Sequence, residues 1–152
     1  SPEKLDFCRS IGADEAIDYS SADLKQELRD ATGGKGVDVI YDAVGGPYTE
    51  PALRSIAWAG RLLVIGFAAG DIPRIPLNLT LLKGCSIVGV FWGEHARREP
   101  ERHRTNMSVL LNWCAEGKIR PHVHRTWRLE ETAEAIRALA DRKVKGKAIV
   151  VV

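Results

Sequence analysis

No run in this chain reaches the roughly 18 apolar residues that mark a membrane-spanning helix, and no basic-then-apolar leader opens it. Charge of one sign is equally scarce: 22 Lys and Arg against 20 Asp and Glu leave a formal charge of +2. The one local concentration, Arg97, Arg98, Arg102 and Arg104, alternates with Glu94, Glu99 and Glu101. That mixture reads as the solvated start of a helix, so neither nucleic acid nor a membrane surface is expected as a partner. Three cysteines, Cys8, Cys85 and Cys114, are too few and too scattered for a disulfide framework. Their apolar neighbours favour free, buried thiols in a reducing compartment, and a cytoplasmic location is expected. No C-x-x-C accompanies His122-x-His124, and no third ligand stands near that pair, so no metal site is expected. Repeats and low-complexity segments are absent as well. So is G-x-G-x-x-G, the glycine loop that sets a pyrophosphate on a helix N-terminus. Gly33-Gly34-Lys35-Gly36 precedes a strand where such a loop would follow one, and it reads as a connection.

What is present is an ordinary globular composition, 45% apolar and 28% charged, over 152 residues. The organising stretch is Val37 to Gly46, V-D-V-I-Y-D-A-V-G-G. Its β-branched, nearly continuous apolar run predicts a central parallel strand covered on both faces. Two glycines and Pro47 then predict a tight turn and a helix over Pro47–Ala57. Ligand crevices of open α/β sheets form at such carboxyl ends of strands. Asp42, the one ionisable group at this strand end, has two possible roles: bonding a ribose hydroxyl, or bonding nearby backbone N–H groups.

Upstream, Ser1-Pro2-Glu3 reads as cap, first helical proline and first-turn acid of a helix that turns Leu5, Cys8 and Ile11 to one side and stops at Gly12. Glu15 to Tyr19 is a short strand candidate, followed by a capping signal at Ser20 to Asp23 and a helix carrying Leu24, Leu28 and Ala31. Downstream come a strand over Arg61–Gly66, a short helix over Leu77–Lys83 and an apolar strand over Ser86–Phe91. This alternation predicts a doubly wound α/β sheet for residues 1–93. Residues 94–152 read as an appended helix-strand-helix-strand extension. It consists of a helix over Pro100–Glu116, an edge strand over Pro121–Arg128, a helix over Leu129–Arg142 with Ala133, Ile136 and Leu139 inward, and a strand over Gly146–Val152.

The succession S-x-x-K-L, I-G-A-D-E-A-I-D-Y, V-D-V-I-Y-D-A-V-G-G, G-R-L-L-V-I-G and V-K-G-K-A-I-V resembles the carboxyl-terminal half of the medium-chain dehydrogenase/reductase superfamily. Within it the chain is most similar to the zinc-free quinone oxidoreductases, the zeta-crystallin-like branch. The resemblance implies a partial Rossmann-like sheet over 1–93 that lacks its first strands and glycine loop, with 94–152 returning to a catalytic domain outside this chain. It implies NADPH as cofactor and hydride transfer to a quinone or enone. Alternatives are the enoyl-reductase domain of a polyketide synthase and a non-enzymatic, crystallin-like or RNA-binding homologue. Without the glycine loop the isolated fragment is expected to bind NADPH weakly and to be inactive.

The family's contacts carry over by position. Ser1, Lys4 and Tyr19 fall where an adenosine 2′-phosphate is read, and an ammonium with two hydroxyls suits a phosphate dianion. A cap, a surface lysine and a strand-end aromatic would account for the same three residues. Val44 with Gly45, Gly66 with Phe67, and Phe91 with Trp92 end three successive strands, where the nicotinamide and its ribose lie. Phe67 and Trp92 would serve equally as plugs at the sheet end. Lys147 matches a residue reaching the pyrophosphate, and a surface salt bridge would explain it nearly as well. Finally, the strand over 86–91 is expected to be the apolar edge of the sheet, inviting a homodimer.

Overall fold

The structure, a computed structural model, describes all residues from Ser1 to Val152. It divides into two compact units, Ser1–Gly93 and Glu94–Val152. The first unit is built on three parallel strands in the order β1 (Val37–Asp42), β2 (Ile56–Val64) and β3 (Ser86–Gly89). Helices α1 (Pro2–Ser10) and α2 (Leu24–Ala31) precede the sheet. A 3-10 turn (Gly46–Tyr48) and α3 (Thr49–Arg54) connect β1 to β2, and α4 (Asn78–Lys83) connects β2 to β3.

The core forms where one face of β2 meets α3 and α4: Leu53, Ile56, Leu62 and Leu79 are buried, with Ile40, Val64, Ile75 and Cys85 packed against them. Burying each large side chain stabilises this unit by roughly 1.5–3 kcal/mol. Asp23 caps α2, its carboxylate accepting from the N–H groups of Lys25 and Gln26 at 3.0 and 3.2 Å. The buried Ser55 ends α3 and donates its hydroxyl to the carbonyls of Lys25 and Pro51, tying α2 to α3.

Several expectations need correction. The stretch from Val37 is not the covered centre of the sheet. β2 occupies that place, and β1 is an edge, with Tyr41 70% and Val39 43% exposed. Glu15–Tyr19 forms no strand, because no neighbour pairs with it. A strand needs a hydrogen-bonding partner whatever its side chains prefer. The helix expected over Pro47–Ala57 is shorter. Ile56 and Ala57, expected in that helix, are buried but open β2, which runs from Ile56 rather than Arg61 and ends at Val64. β3 ends at Gly89 and its residues are exposed. The cysteines are free, yet Cys8 and Cys114 are exposed and only Cys85 is partly buried.

The second unit pairs β4 (Val123–Arg128) with β5 (Lys147–Val151) in a two-stranded parallel sheet. α5 (Trp92–Arg98) bridges the boundary between units, and α6 (Pro100–Ala115) and α7 (Thr132–Ala140) complete the extension. Ala135 and Trp127 are buried here. The inward face expected of α7 is wrong: Ile136 and Leu139 are exposed and Ala135 is the buried residue. Apolar periodicity marks which residues can be covered, and what covers them is decided by the surrounding chain.

Candidate functional site

The three parallel strands of the first unit end at one edge, and this brings together Val44 and Gly45, Gly66 and Phe67, and Phe91. The centre of the arrangement is the turn after β1. The Asp42 carboxylate accepts from the N–H groups of Val44 at 3.0 Å and Gly45 at 2.8 Å through one oxygen. Its other oxygen takes the hydroxyl of the buried Thr49 at 2.6 Å. Asp42 thus makes the backbone bonds that were one of its two possible roles. The N–H of Gly46 donates to the carbonyl of Asp71 at 3.1 Å, so every amide of the glycine turn is engaged inside the unit. Gly45 has φ +68°, and a methyl added to it would stand 2.8 Å from the Phe67 ring. Only glycine meets both conditions.

The loop after β2 is laced onto this turn. Ile65 donates to the Asp42 carbonyl at 2.9 Å, Ala68 to that of Ala43 at 3.2 Å and Ala69 to that of Val44 at 2.9 Å. At the next tip Val90 donates to Val64 at 2.9 Å. Between the tips of β2 and β3 lies an open cleft of about 430 Å³, lined by Ile65, Gly66, Phe67, Gly89, Val90 and Phe91 together with Val64. Trp92, the following residue, is half-exposed at the start of α5.

Tyr19 reaches the same end from the other side. Its ring meets Tyr48 edge-on, with centroids 4.7 Å apart. Tyr19, Tyr41, Tyr48 and Val44 line an apolar hollow of about 160 Å³ floored by Leu24 and Leu28. Ser1 and Lys4 lie on the first turn of α1, and neither lines the cleft at the strand tips. Ser1 is the N-cap residue of α1, with its carbonyl accepting from Lys4 and Leu5, but its hydroxyl caps nothing. α1 is joined to the segment carrying Tyr19 by the Arg9 guanidinium, which donates to the Ala16 carbonyl at 3.0 Å. Lys147 belongs to the second unit, where its N–H bonds the His122 carbonyl at 2.9 Å and its side chain is exposed.

Two contributors were not singled out from sequence. Thr49 carries a recognisable signal, a hydroxyl residue in the first helical turn seven positions beyond an acid. The loop over residues 68–71 acts through its backbone and leaves none.

A further cavity, of about 470 Å³, lies elsewhere, between the start of α2, α3 and Pro73-Arg74. Its acids are already committed: Asp23 caps α2 and Glu50 holds Arg54 at 2.6 Å. No three His, Cys, Asp or Glu side chains come together to hold a metal, so the residues present do not fit one. None of the carboxylates with a shifted titration lines the cleft between the tips. Glu94 is held below the usual carboxylate range by Arg97 and Arg98, and Glu99 by Arg102 and His95. The Ser20 hydroxyl and N–H do the same for Asp18.

A profile of zinc-binding dehydrogenases matches residues 11–150. The chain belongs to this family. It is 37% identical to a quinone oxidoreductase-like protein 2 homologue of Nematostella vectensis, over 97% of this chain and 41% of that protein. Among solved structures, a quinone oxidoreductase of Pseudomonas syringae superposes with a TM-score of 0.86 at 27% identity, over the whole chain and 47% of its own. An NAD-dependent alcohol dehydrogenase gives 0.81 at 32% identity, over the whole chain and 42% of its own. The chain thus spans less than half the length of these relatives. Its place is in the medium-chain dehydrogenase/reductase superfamily, in the quinone oxidoreductase-like part, and its parallel α/β architecture is theirs.

Proposed function

We propose that this chain is the cofactor-binding portion of a zinc-independent, NADPH-dependent oxidoreductase that reduces quinones or other conjugated carbonyls. The observation that carries the reading is the ending of three parallel strands at one edge, with an open cleft between the tips of β2 and β3. When bound, the nicotinamide supplies the hydride, and the protein supplies orientation and a dry surface. Gly66, Phe67, Phe91 and Trp92 would bound the nicotinamide end, and Val44 with Gly45 would lie beneath its ribose. Because the amides of residues 44–46 are taken, polar contacts to the carboxamide fall to the backbone of the other two tips. Lys4, with Ser1 and Tyr19, would read the 2′-phosphate, and Lys147 the pyrophosphate. NADPH is preferred to NADH in this reading on the charge of Lys4. Residues 94–152 would return to a catalytic domain outside the chain.

The deciding experiment compares NADPH and NADH oxidation by the intact polypeptide across a panel of quinones and enones, with and without a chelator. Turnover with NADPH that the chelator leaves unchanged is expected. Lys4→Ala should raise the KM for NADPH about tenfold and leave that for NADH nearly unchanged, the loss expected of one charge-assisted phosphate contact. A rise in both, or in neither, removes Lys4 from the site. We further propose a homodimer formed through the outer edge of β3, which has no partner strand in the chain.

A further inference from the structure

Next to the cleft at the strand tips the first unit holds another cavity, which the proposed function does not use. It measures about 270 Å³ and shares Val64 and Phe67 with the cleft between the tips. Leu62, Ile72, Ile75 and Ile87 complete its apolar wall. The only acid and hydroxyl on its surface, Asp42 and Thr49, are bonded to each other and to the turn amides, so neither side chain offers a ligand a hydrogen-bond donor. Burying a polar substituent there without a partner would be unfavourable, whereas a hydrocarbon meets no such penalty. Phe67, 40% exposed with its ring against Gly45, forms the partition between the two spaces.

We propose that this cavity takes the hydrocarbon tail of the conjugated-carbonyl substrate whose ring lies at the strand tips, and that Phe67 marks where ring ends and tail begins. The proposal rests on the oxidoreductase reading and adds a substrate class to it: quinones or enones carrying an unbranched or prenyl chain. A methylene and a water molecule each take up about 30 Å³ in the condensed phase, so a cavity of about 270 Å³ has room for about nine carbons.

The test is a series of 2-alkyl-1,4-benzoquinones, with tails of zero to about fourteen carbons, turned over by the intact polypeptide with NADPH. The ratio kcat/KM should rise about threefold to fourfold per added methylene and level off near the ninth carbon. Ile72 is exposed and outside the packed core, so Ile72→Trp can fill the cavity without disturbing the fold. This variant should reduce the tailless quinone at the normal rate and lose the dependence on tail length. Ile72→Ala, which enlarges the space, should move the plateau to longer tails. Independently of turnover, hexanol should shift the methyl resonances of Ile72, Ile75 and Ile87, and a bound alkylquinone should displace it. A flat profile in an enzyme that reduces the tailless quinone overturns this proposal alone. Absence of all turnover overturns the oxidoreductase reading and this one with it. Hexanol binding that long tails fail to displace overturns the assignment of the cavity to the substrate.

Discussion

Ala59 has φ +59°, in the left-handed region that a side chain disfavours by roughly 1–2 kcal/mol. It is exposed, so its methyl group buries little to compensate. Ala59→Gly should therefore stabilise the protein by about 1 kcal/mol and raise the melting temperature by about 2–4 °C, read by calorimetry. The opposite sign would show that the methyl makes contacts worth more than the backbone strain. Asp42 shows the reverse case, a residue whose polar bonds carry its value. Removing its carboxylate strands two turn amides and the Thr49 hydroxyl together. Asp42→Ala is expected to cost about 2–4 kcal/mol in a urea titration, whereas Asp42→Asn, which keeps one acceptor, should cost about half as much. This role was only half legible beforehand. The sequence places an acid at a strand end beside two glycines, but whether it faces a ligand or its own turn depends on Thr49 and on a loop more than twenty residues downstream.

At the scale of elements, α5 and the start of α6 are held by ion pairs spaced three or four residues apart: Glu94 with Arg97 and Arg98, Glu99 with Arg102, and Glu101 with Arg104. The carboxyls of Glu94 and Glu99 titrate below the ordinary glutamate value of 4.5 because the charged form is the one being bonded. Their support is thus complete above that value and fades as pH falls through the lowered ones. Carbon-detected NMR should show both carboxyls with midpoints under 4.5, moving upward in high salt as the exposed pairs are screened. Midpoints at the ordinary value would remove the pairs from any stabilising role. That charged run was legible as a solvated helix start because spacing alone decides such contacts. The segment over residues 15–19 was misread for the complementary reason: alternation and propensity describe a strand's faces, while its existence depends on a neighbour. The same lack left β1 at the edge and kept most apolar residues of α6 and α7 exposed.

For the whole molecule, the parallel α/β architecture was the most readable feature, since strand-helix alternation sets fold class without reference to long-range detail. Assembly is less readable. Between Lys83 and Glu94 no charged residue interrupts the outer strand, and Ile87, Val88 and Val90 are exposed. An edge of this kind, unblunted by charge, is suited to pairing with its own copy. Sedimentation of the intact polypeptide should give twice the chain mass, and Val88→Lys should give the single mass with thermal stability per chain nearly retained. A monomeric parent protein would dismiss the dimer.

Because the turn after β1 spends all three of its amides within its own unit, it behaves as a finished casting and has no need of a guest to set it. Deuterium uptake at positions 44–46 should be slow in the empty protein and scarcely slower in the loaded one. Any selectivity exercised above β1 is then a matter of contour, and a remodelled ligand should be accommodated there by changing the walls, Tyr19 or Phe67, and leaving the floor untouched.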